Sequence, residues 1–392
     1  MKERRKCDGG GARLDFHYML PLALCLTFLV TWMEAQSTCT SPDCTIQKYY
    51  IAINEVEWDY APSQMDKWSG VPIDKSTEAS KFLQPSANRI GRVYKKVMYV
   101  GYKDAEFKQP LEREPWLGLL GPILRIEAGD ELHVTLFNNA TRPYSFYPHA
   151  LTYAPPTTDD LLRKGIPAGQ KDTLVFKAPS NLAQGSTPTF WLYHSHVDEV
   201  KDVYSGLFGG LVVYPRGMAQ PPREFVNVFI VIDEGLSWYI GDNKKKLATP
   251  PKEDADWVEA NQKHSLNGYL FANVEGMKMQ LGERVWWYVG SLGGEKDLHT
   301  AHWHGASLLH QGHRVDVADL LPGETQVLEM TPDVPGKWLY HCHVNDHVVS
   351  GMSAMYEVVD KGLVTTLKSG GTGTFVSPLL LLLVLFLHVF HQ

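Results

Sequence analysis

The chain has little cysteine, no surplus of basic charge and no long helical periodicity between its two ends. Its 37 Lys and Arg stand against 44 Asp and Glu, a formal net charge of -7. That balance excludes the basic surface on which nucleic-acid binding rests. With helical patterns absent, short alternating or apolar runs broken by Gly, Pro and Asn dominate, over 123–136, 171–176, 207–214, 225–232, 277–289 and 325–330. They predict an all-β protein of antiparallel β-sandwiches. A hydrophobic content of 44% is ample for two packed cores. Only five cysteines occur. Cys7 and Cys25 fall in an N-terminal segment expected to be removed. Cys39 and Cys44 are close enough to bridge in an oxidising lumen. Cys342 is left alone, which in a secreted chain marks a reactive or metal-bound thiol.

Both ends read as processing signals. Lys2, Arg4, Arg5, Lys6 and Arg13 precede an apolar run over 18–32, with Ala35 as a cleavage residue. Residues 1–35 are thus expected to form a secretory signal peptide, an uncleaved anchor being the alternative. At the other end the apolar run over 378–390 falls short of the roughly 20 residues of a membrane span. Small residues Ser369, Gly370 and Gly371, a spacer and this terminal tail make 369–392 the pattern of a GPI-attachment signal, with a short transmembrane anchor as the alternative. The expected location is the secretory pathway, either GPI-anchored at the extracellular face of the plasma membrane or secreted. The sequon at Asn139 fits that route.

One heptapeptide occurs twice. Trp191-Leu192-Tyr193-His194-Ser195-His196-Val197 returns as Trp338-Leu339-Tyr340-His341-Cys342-His343-Val344. The flanks repeat too: 125–131 parallels 278–284, and Ser205-Gly206-Leu207 parallels Ser350-Gly351-Met352. This predicts a first domain over 46–216, a linker at 218–222, and a second domain over 223–362. The charged, Pro-containing stretch 241–260 reads as an exposed loop. On a strand, alternate residues face opposite sides. The second copy therefore offers two imidazoles on one side and a thiolate on the other, so that one strand can serve two metal centres. The first copy keeps the histidines and drops the Cys.

Imidazole and thiolate are good copper ligands, and two His, one Cys and a weak axial Met form the trigonal blue-copper set. His299, Cys342, His347 and Met352 supply it; zinc fits so many imidazoles with one thiolate less well. The remaining histidines, His302/His304, His341/His343, His194/His196 and His149, suit a cluster of several copper ions shared between two domains. In the repeat His149 aligns with His304, and Tyr147 stands where His302 stands, so one pair is broken.

Arg142-Pro143-Tyr144-Ser145-Phe146, His194-Ser195-His196-Val197-Asp198 and the run from His341 to His347 and Met352 resemble the ceruloplasmin–hephaestin branch of multicopper oxidases. The resemblance covers nearly all of the chain between the terminal signals. It implies two cupredoxin-like Greek-key sandwiches, first and last in type, joined directly. It further implies type 1 copper at His299, Cys342, His347 and Met352. Type 2 copper would sit at His302, and the type 3 pair at His149, His194, His196, His304, His341 and His343. Tyr147 replaces the family's second type 2 histidine. The resemblance also maps an iron substrate site onto Glu259, His264 and Asp346, and implies Fe(II) and dioxygen as substrates. Because the two cluster halves lie on domains that meet where the family's ring closes, a homotrimer is expected. Three functions stay open: a ferroxidase, an oxidase of phenols or aromatic amines, and a non-enzymatic copper-binding or matrix protein disabled by Tyr147.

Overall fold

The computed structural model describes residue 39 and residues 43–360. The expected signal peptide and C-terminal anchor lie outside them. Among the described residues no helix is long and apolar enough to cross a membrane. Cys39 and Cys44 form a disulfide.

The fold is two β-sandwiches. In the first, a five-stranded sheet runs Val93–Tyr102, Ile46–Asp59, Glu131–Asn138, Lys171–Lys177, Thr152–Ala154. It faces a four-stranded sheet running Leu124–Glu127, Phe208–Tyr214, Thr189–His194, Tyr147–Pro148. In the second, six strands run Gln262–Leu266, Glu224–Asp233, Val285–Ser291, Thr325–Met330, Leu308–His310, His313–Val315. Five more run Lys278–Gln280, Ser353–Val359, Gly336–Cys342, His299–Trp303, Val317–Leu320. Alternation sets the faces: in Glu131–Asn138, Leu132, Val134 and Leu136 are buried while His133, Thr135 and Phe137 are only partly so. Val285–Ser291 is buried along its whole length and loses that alternation.

Two expectations need correction. Pairing is not purely antiparallel: each of the four sandwich sheets contains a parallel pair. The runs 123–136 and 277–289 are not single strands. Left-handed turns at Gly129 and Gly282 split each run and send its halves to opposite sheets. The stretch 241–260 is not simply a loop either. It overlaps the short helix Ile240–Lys244 and holds Ala255–Ala260. Asn243 brackets the backbone of Lys95 from the first, and buried Trp257 anchors the second.

The sandwiches are interlocked. The connection between Ile46–Asp59 and Val93–Tyr102 leaves its own sandwich. Tyr60, Ile73, Phe82 and Ile90 join the apolar core of the other one. A buried polar network ties the same region together. Lys96 pairs with Glu234 at 2.7 Å, both fully buried, and Tyr60 donates to the same carboxylate oxygen. Lys263 Nζ donates to the carbonyls of Phe82, Gly91 and Ala260. Burial, reinforced by the charge on Lys96, pushes the Lys263 pKa down to about 7. An unfolded lysine titrates near 10.4, so between about pH 7 and pH 10 the unfolded chain binds more protons and stability rises with pH. The melting temperature is expected to climb from pH 7 to pH 9, and Lys263→Met to flatten that climb. Equal slopes in both proteins would contradict it.

Candidate metal centre

The repeated strands sit in the same place in both sandwiches. Thr189–His194 pairs with Phe208–Tyr214 on one side and Tyr147–Pro148 on the other; Gly336–Cys342 pairs with Ser353–Val359 and His299–Trp303. Tyr147 lies opposite His194 as His302 lies opposite His341. The His149 amide donates to Leu192 O, and the His304 amide to Leu339 O. The register therefore places Tyr147 at the His302 position and His149 at the His304 position.

The buried set comes from three segments. His299 opens a strand, Cys342 ends another, and the short helix Asn345–Val349 carries His347. His299 Nδ1 and His347 Nδ1 face each other at 3.0 Å, with Cys342 Sγ 3.7 and 3.5 Å from them. Exposures are 2% and 7% for the imidazoles and 0% for Cys342 and Met352. Met352 is drawn in by its backbone, which accepts from Cys342 N and donates to His347 O. Asp297, itself buried, takes the other nitrogen of His299 at 3.1 Å, leaving Nδ1 free to ligate. Burial, then the neighbouring His299, lowers His347 to about 4, while burial raises the Cys342 thiol. Two convergent nitrogens and a sulfur with no other group between them fit a trigonal N₂S metal site.

The same scaffold in the first sandwich holds no such set. Leu207 bonds Ser195 and Asp202 through its backbone as Met352 bonds Cys342 and His347. The Ser195 hydroxyl donates to Asp202 at 2.6 Å, and Trp238 Nε1 donates to the other carboxylate oxygen. A closed hydrogen-bonded pair thus fills the place of Cys and His.

The other histidines gather in two separate groups. In the second sandwich, His341 Nε2 lies 3.0 Å from His304 Nε2 and 3.2 Å from His302 Nδ1, with the His343 ring 5.0 Å from that of His302. In the first, His149 Nε2 lies 2.9 Å from His194 Nε2, and the Tyr147 ring stacks on His196 at 5.0 Å. His341 Nδ1 and His194 Nδ1 each bond the next residue's carbonyl, which aims Nε2 at the group. Burial is the largest cause holding His341 and His149 near 4, with neighbouring imidazoles adding to it. These rings are neutral donors at neutral pH.

Of the expected iron residues, His264 is buried with its ring 5.3 Å from His347, and burial followed by His347 lowers it to about 3. Glu259 and Asp346 are exposed. Among the described residues the three do not form a group with ligand atoms within 4.8 Å. Asn139 is exposed on its loop. Sequence reasoning missed Asp297, which a two-residue offset from His299 on a strand could have flagged. It also missed Glu199, which joins His194 and His196 in one ligand group, and Trp68, whose ring lies over His341 at 6.5 Å.

Paired sandwiches with a buried His–Cys–His–Met set beside clustered histidines define a protein of the cupredoxin class. Two family models described as multicopper oxidase match, over residues 117–218 and 244–362. The chain is 40% identical to human ceruloplasmin over 329 residues and 36% identical to human hephaestin over 346 residues. These matches cover 79% and 81% of this chain and 30% of each relative, so the chain spans under a third of their length. A crystal structure of a multicopper oxidase matches with a TM-score of 0.53 at 19% identity, covering 82% of this chain and 92% of that one. The chain belongs to the multicopper oxidase family, in its ceruloplasmin–hephaestin branch, and that membership implies copper.

Proposed function

We propose that the protein is a copper-dependent ferroxidase, taking electrons from Fe(II) and delivering them to dioxygen. Copper, when bound, supplies the one-electron couple at the buried set and the oxygen-reducing centre at the histidine groups. His299, Cys342, His347 and Met352 hold the type 1 ion. His302 holds the type 2 ion, and His149, His194, His196, His304, His341 and His343 hold the type 3 pair. Complete reduction of dioxygen consumes four electrons, one from each of four Fe(II) ions, and four protons, and yields two waters.

The observation that carries this reading is the strand Gly336–Cys342. Cys342 belongs to the buried N₂S set and adjacent His341 to the second-sandwich histidine group, so a covalent path joins electron intake to oxygen reduction. The iron substrate site is assigned to Glu259, His264 and Asp346 by the family resemblance, and bound iron would have to draw their ligand atoms together, since they are not gathered within 4.8 Å of one another. Asp346 adjoins His347, and carboxylates favour Fe(III) over Fe(II) by their charge. Each cluster is completed between neighbouring subunits of a homotrimer. The signal segments and the Cys39–Cys44 bridge fit secretion and GPI attachment.

Oxygen uptake is the test. Glu259→Ala combined with Asp346→Ala is expected to impair Fe(II) oxidation much more than oxidation of a bulky aromatic amine, because only iron needs those carboxylates. Equal losses would remove the iron site. Uptake with organic donors alone would favour a phenol or amine oxidase. Blue colour without turnover would favour a copper-binding or matrix protein.

A further inference from the structure

Tyr147 removes an imidazole from the first-sandwich group, and that group, unlike its counterpart in the second sandwich, gathers a carboxylate with its histidines. Glu199 opens the short helix Glu199–Ser205, whose cap is the Asp198 side chain. Its counterpart in the repeat is Asp346, three residues after His343 as Glu199 is three after His196, but the second turn is two residues shorter between its Cys and His, and Asp346 does not join the histidine group there. Glu199 Oε1 lies 3.8 Å from His194 Nε2, and Oε2 lies 3.4 Å from His196 Nδ1. His194 Nε2 is the nitrogen aimed at His149, its Nδ1 being committed to Ser195 O. His196 Nδ1 is a buried atom with no hydrogen-bond partner, on the ring that Tyr147 covers. Glu199 and His149 also line a cavity of about 450 Å³ between loops of the two sandwiches, which opens the group to an incoming ion.

We propose that Glu199 is a metal ligand of the first-sandwich histidine group, supplying the donor that Tyr147 withdraws. The group then offers three imidazoles and one carboxylate oxygen. Oxygen is a harder donor than nitrogen, so copper at this position is held in its oxidised form more firmly than an all-imidazole site would hold it. Because the carboxylate spans two of the imidazoles, one oxygen reaches the ion while the other accepts the His196 Nδ1–H, fixing that ring. The inference rests on the copper-cluster reading above.

The experiment is copper titration of the full chain, with metal counting and electron paramagnetic resonance of the non-blue Cu(II) signal. Glu199→Gln keeps the helix start and the size of the side chain. It is expected to raise the dissociation constant of the weakest copper by more than about tenfold, above the lower end of what loss of a supporting partner produces, and to alter the non-blue signal. The blue band of the Cys342 set should not change. Tyr147→His in the Glu199→Gln background is expected to restore binding. Unchanged copper affinity and signal in Glu199→Gln, in a chain whose natural form binds cluster copper, would overturn the role of Glu199 alone. A natural chain that binds only the blue copper would overturn the cluster reading and this inference together.

Discussion

Replacing Cys342 by Ser is expected to bleach the copper-loaded protein and stop Fe(II)-dependent oxygen uptake. A thiolate bound to Cu(II) between two imidazoles, with a weak axial Met, gives an intense charge-transfer band near ~600 nm. The geometry here fits the two-nitrogen, one-sulfur part of that arrangement: Sγ is buried and faces both Nδ1 atoms at 3.5 and 3.7 Å. A serine oxygen has no such transition and reaches less far. The first sandwich shows what the scaffold does with Ser at this position. There Ser195 is accommodated by Asp202; in the second sandwich His347 takes that place and its Nδ1 can accept from a serine hydroxyl, so Cys342→Ser is expected to keep the fold while losing the metal. Turnover should collapse with the colour, since Cys342 is also the covalent step to His341. A colourless copper-loaded natural protein, or a variant that stays blue, would refute the assignment.

Activity is also expected to depend on more than one copy of the chain. Within one chain, His149, His194 and His196 form one group and His302, His304 and His341 another, and the two do not merge. A centre needing both groups would be completed by a neighbour, and a heterologous contact of this kind is expected to close into a cyclic ring. We expect a trimer by light scattering. His194→Ala/His196→Ala and His341→Ala/His343→Ala should each abolish oxygen reduction while leaving the trimer intact. Equimolar mixing of the two under subunit exchange should restore about a quarter of the natural activity, the fraction of junctions at which both halves are intact in a randomly mixed ring. A monomer that still reduces oxygen would defeat this arrangement.

Much of the centre was legible because a β-strand translates sequence spacing directly into geometry. Alternation put His341 and His343 on one side and Cys342 on the other. The repeat fixed the register so closely that Tyr147 falls opposite His194 as His302 does opposite His341. What stayed hidden depends on turns and on contacts between distant segments. Glu199 reaches the histidines only because a helix begins after His196 and turns its first residue back. Trp68 reaches His341 from the other end of the chain. The parallel pairs escaped notice because a Gly turn inside one apolar run sends its halves to different sheets, which hydrophobicity alone does not reveal. The helices within 241–260 were masked by charge on their exposed sides, with only Asn243 and Trp257 holding them inward.

Residues 60–92 are first-sandwich sequence spent on the second sandwich's core. Neither half of the chain is therefore a transferable module. A cut in the Pro-containing linker is expected to leave two fragments that stay docked, and either sandwich grafted alone onto another scaffold to carry a stripped apolar face. The relative placement of the two histidine groups thus depends on this shared core as well as on the linker. In the proposed trimer, substitutions at Tyr60, Phe82 or Glu234, none of which is a proposed metal ligand, are expected to detune the proposed copper clusters by changing how the ring closes.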